Sequence, residues 1–167
     1  WGVKCYAGLS DLPGVPDHLV VMRAAASVCG ILREAADMGT RSATVYAAGY
    51  SELGTEKGKA LEAELRLVIE ETGLAVCGPN CLGSMSARGK SLCLPDDRIR
   101  ELVRGPVAMV GQSGTTTPGI GRTLIDRGID VSYIITSGNE VGLTTADYIN
   151  YFVDDPDVRL VFCLIEA

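Results

Sequence analysis

The stretch GPNCLG, residues 78–83, ends an apolar run and packs two glycines, a proline, an asparagine and a cysteine into one turn. Glycine and proline punctuate local structure, so the run LAVCG (74–78) stops here. A short apolar run bounded by turn residues fits a buried strand. In an open α/β sheet, ligands sit outside the carboxyl ends of such strands. A second glycine-rich turn, GQSGTTT (111–117), follows the apolar run PVAMV and repeats the arrangement. These two turns decide how the rest of the chain is read.

Outward from them, strand-like and helix-like periods alternate. HLVVM (18–22) is a continuous β run, and Val28, Ile31, Leu32, Ala35 and Ala36 then recur at helical spacing up to Gly39, a natural stop. SATVYAAG (42–49) is the next strand, and Leu61, Leu65, Val68, Ile69 and Thr72 mark one face of a helix closing at Gly73. After GPNCLG, a short β excursion is expected at KSLCL (90–94), then a linker with a helical turn over 95–106. A strand and turn at 106–114 lead to a helix from about Thr115 to Arg127, whose Pro118 suits a first turn, where amides lack intrahelical partners. DVSYIITSG (130–138), a helix around 144–153, and VRLVFCLIEA (158–167) complete the alternation. The pattern implies right-handed parallel crossovers and an α/β fold of two doubly wound parallel-sheet units joined near residue 100. The first unit opens on the loop-like WGVKCYAGLSDLPG and the second ends on an uncovered strand, so the chain is expected to be a fragment of a longer one.

Composition narrows the function. The chain has 167 residues, 47% of them hydrophobic, which suits a packed core and excludes a disordered segment. A formal net charge of -6, with its 15 Lys and Arg scattered, argues against nucleic acid and against an anionic membrane surface. No apolar stretch reaches bilayer length and no signal peptide opens the sequence. The six cysteines fit a reduced, cytoplasmic setting. Cys77, Cys93 and Cys163 lie in or beside strand-like runs, as small apolar fillers. Cys77 and Cys81 are spaced C-x3-C with the single histidine remote, which gives a metal site little support.

The turn at 111–117 has the clearest chemistry. Gly111 and Gly114 let the backbone approach a ligand, while Ser113, Thr115 and Thr116 add hydroxyls at a helix start that carries roughly half a positive charge. It is either an anion site, most naturally for a phosphoryl group, or a serine N-cap on an ordinary helix. No Gly-Lys-Ser/Thr follows, so it is not a Walker A loop, and Thr115 stands where a nucleophile elbow needs glycine. In GPNCLG, Asn80 is a ligand group or a turn former, and Cys81, with no base beside it in sequence, is packing. His18 flanks a strand. Glu140 in SGNE belongs in a cleft or on a solvated loop, whereas Glu166, after a mostly apolar run, needs a partner and so points to a site.

Taken together, GVKCYAGLSDLP, AAGYSELG, GPNCLG, VAMVGQSGTTT, TSGNEVGLTTADYINYFVDDPDVR and LIEA resemble, in this order and over nearly the whole chain, the NDP-forming acyl-CoA synthetase superfamily, which includes ADP-forming acetate–CoA ligases and succinyl-CoA synthetase. The resemblance implies that residues 1–100 are most of a Rossmann-like CoA-binding domain and that residues 105–167 begin a flavodoxin-like ligase domain. It implies a reaction between a carboxylic acid, CoA and NTP, running through acyl phosphate and phosphohistidine. Gly49, Glu52 and Asn80 would border CoA, Ser113, Gly114 and Thr115 would hold the phosphoryl group, Glu166 would orient the phosphorylated histidine, and Glu140 would be a second catalytic carboxylate. ATP or ADP with magnesium would bind in an ATP-grasp region outside these residues, in an oligomer.

The phosphohistidine is not among these residues, and Arg23 stands where relatives often carry proline. Two other readings compete. One is a non-catalytic CoA-binding module, as in relatives fused to lysine acetyltransferases. The other is a nicotinamide dehydrogenase, which the absence of a G-x-G-x-x-G with its later acidic residue disfavours.

Overall fold

The computed structural model describes residues 2–96, 99 and 101–166. A parallel sheet forms first, from β1 (His18–Val21), β2 (Ser42–Val45) and β3 (Ala75–Cys77), in that order. The crossovers are α1 (Ala25–Met38) and α2 (Glu56–Thr72). α1 buries Val28, Cys29, Leu32 and Ala35, spaced along one face, and ends at Gly39 in the left-handed conformation. α2 starts at Thr55, whose hydroxyl accepts from the Gly58 amide at 3.1 Å, and closes at Gly73, also left-handed. Leu32, Val45, Leu65, Val68 and Val76 are fully enclosed in this core, each worth about 1.5–3 kcal/mol in area removed from water. His18 turns its ring onto the neighbouring strand, with Nδ1 2.8 Å from Ser42 Oγ and Nε2 3.0 Å from Thr44 Oγ1.

The second sheet has the order β5-β4-β7-β6-β8, from β4 (Gly83–Ser86), β5 (Ser91–Leu92), β6 (Val107–Gly111), β7 (Val131–Thr136) and β8 (Leu160–Leu164). β7, β6 and β8 are parallel, as the alternating pattern predicts. β4 runs antiparallel to β7, with Met85 opposite Ile134, so the sheet is mixed. Antiparallel additions at the edge of a parallel sheet are common. GSMS carries one large apolar side chain and two serines, too little pattern to announce a strand. The sheet therefore draws two strands from upstream of residue 100.

α3 (Thr116–Asp126) and α4 (Thr145–Val153) pack over this sheet. Alternate residues divide between them: Met109 and Ile134 lie in the cluster with α3's Ile120 and Leu124, while Ala108, Val110, Tyr133 and Ile135 lie in the cluster with α4's Phe152. Cys77 and Cys81 belong to the second of these clusters, so the end of β3 is built into the core of the other unit. The helical turn expected within 95–106 falls partly on 97, 98 and 100, outside the described residues; the described remainder holds no helix. All six cysteines are free thiols; Cys77 is buried and Cys163 is exposed. None of the described helices is long and apolar enough to cross a membrane.

One buried charge ties the far end together. Asp155 is 4% exposed and accepts from the Tyr133 hydroxyl, from Arg88 at 3.3 Å and from the Asp157 amide at 3.1 Å. The Tyr133 hydrogen bond, helped by the Asp157 amide and Arg88, outweighs burial and holds this carboxyl below its usual range. A depressed folded pKa gives stability that is complete above the unfolded value, about 3.9, and fades as pH falls through the folded one. The thermal midpoint is therefore expected to drop below about pH 4, and Asp155→Asn, which cannot titrate, to flatten part of that acid limb in a pH series of melting curves.

Candidate functional site

The carboxyl ends of β2, β3, β6, β7 and β8 open onto one crevice, the place where α/β sheets bind ligands. Backbone pairing closes its floor. The segment after β7 runs along β3 and its turn: Leu143 N donates to Val76 O at 2.8 Å, Val141 N to Gly78 O at 3.2 Å, and Asn139 N to Pro79 O at 2.9 Å. From the other side, Asn80 N donates to Ala47 O at 2.9 Å. Leu82 N donates to Thr136 Oγ1 at 2.8 Å, and that hydroxyl donates in turn to Gly83 O. Pro79 follows a cis peptide bond, and Asn80 and Gly138 both have positive φ, 58° and 61°. Glycine, proline and asparagine therefore crowd GPNCLG because its backbone is threaded between two sheets.

A cavity of about 400 Å³ lies at this crossing, lined by Ser51, Glu52, Asn80, Gln112, Asn139 and Glu166 around Gly138. Three of the expected site residues, Glu52, Asn80 and Glu166, thus meet around one space. Gly49 lies behind Glu52, its amide donating to Glu52 Oε1 at 2.5 Å, with the Tyr50 amide at 3.1 Å. Partial burial pushes the Glu52 carboxyl up, but these amides and the Asn139 carboxamide hold it below the usual carboxylate range. Glu166, after β8, lines the cavity, and its amide donates to Gln112 Oε1 at 2.8 Å.

Ser113, Gly114 and Thr115 form the turn beside Gln112. Ser113 Oγ accepts from the Thr116 amide at 3.3 Å and Ser113 O from the Thr117 amide at 3.4 Å, whereas Thr115, the residue just before α3, makes no side-chain cap. Pro118 has no amide to satisfy. Among the described residues nothing accepts from the Gly114 or Thr115 amides, which leaves both donors at the positive end of the helix dipole. The serine contacts leave room for an anion at these two amides. On the other side of this turn, Gly114 and Thr115 border a cavity of about 130 Å³ walled by Leu82, Leu94 and Pro118. Gly111 is needed under the turn, because a Cβ there would overlap Thr117 Oγ1.

Glu140 is not brought into the cavity. Its Oε1 accepts from Ser137 Oγ at 2.7 Å and Thr145 Oγ1 at 2.5 Å, which pins the 137–145 loop to the start of α4. Cys81 is 2% exposed and donates to Val45 O at 3.4 Å, a packing position. Asn139, Gln112, Ser51 and Glu62 join the site without being singled out by the sequence. Asn139 and Gln112 sit inside motifs quoted above, where a small polar residue between turn glycines was the available signal. Glu62, which accepts from Ser51 Oγ at 2.5 Å, lies on a charged helix and gave none. Among the described residues, no group of three or more acidic, histidine or cysteine side chains converges as a metal site would require.

Residues 1–87 match the CoA binding domain family, and residues 104–167 match the succinyl-CoA ligase like flavodoxin domain. The chain belongs to the NDP-forming acyl-CoA synthetase superfamily. Among curated relatives it is 30% identical to a trans-feruloyl-CoA synthase from an unknown prokaryotic organism, aligned over 99% of this chain and 24% of that one. It is 31% identical to the alpha subunit of an ADP-forming acetate–CoA ligase II from Pyrococcus furiosus, over 99% of this chain and 35% of that subunit. Its fold superposes with a TM-score of 0.87 and 28% identity on a dinucleotide-forming acetyl-coenzyme A synthetase 1 from Ca. Korarchaeum cryptofilum, solved with phosphate and ADP, over 99% of this chain and 35% of that one. The chain thus spans about a quarter to a third of the length of these synthetases.

Proposed function

We propose that the chain is the CoA-binding and first ligase segment of an enzyme that interconverts carboxylate, CoA and NTP with acyl-CoA, NDP and phosphate, through acyl phosphate and phosphohistidine. The observation that carries this reading is the crevice: Glu52 and Asn80 from one unit meet Gln112 and Glu166 from the other, beside the free amides that open α3. Residues 1–100 hold CoA, with the Gly49–Glu52 loop and Asn80 beside its thiol arm. Residues 105–167 begin the ligase domain. The Gly114 and Thr115 amides and Ser113 hold the transferring phosphoryl group, where donors fixed in advance stabilise developing charge. Glu166, a carboxylate at the cavity, orients the phosphorylated histidine supplied by the rest of the protein. Glu140 acts by holding the 137–145 loop in place.

ATP or ADP and magnesium bind elsewhere in the full-length protein, which assembles as an oligomer in the cytoplasm. The acid is small. One methylene in an apolar pocket changes selectivity only about 10–200-fold, so the panel of acids has to be broad. The test is to incubate the full-length protein with ATP, magnesium, CoA and such a panel, and to follow acyl-CoA and ADP together. Stoichiometric acyl-CoA and ADP support the ligase. CoA binding without turnover on any acid would favour a regulatory module instead.

A further inference from the structure

Asn139 makes a four-way connection across the crevice. Its Nδ2 donates to Glu52 Oε2 at 2.7 Å and to Glu62 Oε2 at 3.1 Å. Its Oδ1 accepts from Asn80 Nδ2 at 3.2 Å, and its main-chain amide donates to Pro79 O at 2.9 Å. The orientation of the carboxamide follows from its neighbours: a flipped amide would turn an acceptor oxygen onto two carboxylates. Those carboxylates are the ones that shape the 49–54 loop. Glu52 accepts the Gly49 and Tyr50 amides, and Glu62 accepts the Ser51 amide at 3.3 Å and its hydroxyl. A residue of the second unit therefore joins the two anions that fold a loop of the first.

We infer that Asn139 is a positioning residue for CoA, its carboxamide bridging Glu52 and Glu62 so that the 49–54 loop is held in the form that takes the thiol arm. The inference rests on the functional reading above and adds to it a residue that touches neither acid nor phosphoryl group. The groups facing Asn139 are Glu52 from the 51–53 turn, Glu62 from α2 and, across the cavity, Glu166 after β8. Arg66, one turn along α2 from Glu62, donates to Val141 O at 3.4 Å, and Glu140 is turned to Ser137 and Thr145. The bridge is thus a neutral double donor between two like charges; a carboxyl in its place has no donor when ionised and a single O–H, enough for one of the two carboxylates, when protonated.

That gives a signature a merely structural role lacks. In the full-length protein, Asn139→Asp is expected to raise KM for CoA by about ten- to hundredfold at pH 8, the loss of hydrogen bonds to charged groups, while KM for the acid stays within about threefold. Like charges raise the introduced carboxyl's pKa, so KM for CoA should recover in part as pH falls to about 6, when its one O–H restores one of the two hydrogen bonds. Asn139→Ala should show the rise without the recovery. A pH-independent KM in Asn139→Asp, or equal losses for CoA and acid, would overturn the inference while leaving the ligase reading intact. Amide exchange of Gly49 and Tyr50 reads the same bridge without turnover. Faster exchange than wild type at pH 8 in Asn139→Asp supports it even if no acid is activated, and unchanged exchange overturns it.

Discussion

Gly138→Ala is expected to destabilise the protein by about 3 kcal/mol or more, and Gly128→Ala by only about 1 kcal/mol, although both glycines have positive φ. The difference is space. Nothing lies within 4 Å of a Cβ at Gly128, so alanine there meets only the left-handed backbone penalty. At Gly138 a Cβ would overlap Pro79 O and come 2.8 Å from Asn80 O. Those are backbone atoms, and the Asn139–Pro79 hydrogen bond keeps them from moving apart. The substitution therefore pushes the 78–80 turn away from the 137–140 turn, and with it the wall of the cavity. Urea denaturation of the two variants side by side checks this, since the backbone term is common to both and cancels.

Glu166→Gln is the second large effect and acts on chemistry instead of stability. Among the described residues, the hydrogen bond of Glu166 to the scaffold is made by its main-chain amide, to Gln112 Oε1, and is independent of the side chain. A surface change of this kind is worth within about 0.5 kcal/mol in stability. Turnover of the full-length protein is nevertheless expected to fall at least about a hundredfold, because in the proposed function the carboxylate orients a charged histidine and the neutral amide would not. KM for CoA should stay near the wild-type value, since the proposed function puts CoA on the Glu52 and Asn80 side. Steady-state kinetics with both substrates varied would separate these. A proportional rise in KM for CoA would assign Glu166 to binding instead.

Much of this arrangement is legible in the chain. The helices announce themselves by apolar spacing and by Gly39 and Gly73 at their ends, and the strands of the parallel sheet by short apolar runs. The turn GQSGTTT shows in sequence the glycines and hydroxyls that gather at the start of α3. β4 is not legible, because its partner β7 supplies the apolar contacts that GSMS lacks. Glu166 stands out in sequence as a carboxylate after the apolar run VFCLI, and it lines the cavity. Glu140 and Asn139 are adjacent in SGNE, and no local pattern says which one faces the cavity. The positive φ at Gly138 and Glu140, imposed by the close approach of the 78–80 turn, sends the asparagine to the cavity and the glutamate to α4. The Glu52–Asn139–Glu62 bridge joins residues far apart in the chain, so only the folded arrangement reveals it.

The account turns on one crevice serving both CoA and the phosphoryl group. The most direct measurement is a crystal structure of the full-length protein with CoA and inorganic phosphate. The account predicts the thiol arm beside Asn80 and the Gly49–Glu52 loop, with phosphate on the Gly114 and Thr115 amides. CoA seated elsewhere, for example in the apolar recess between Tyr133, Tyr148 and Tyr151, with the crevice holding neither ligand, would contradict it.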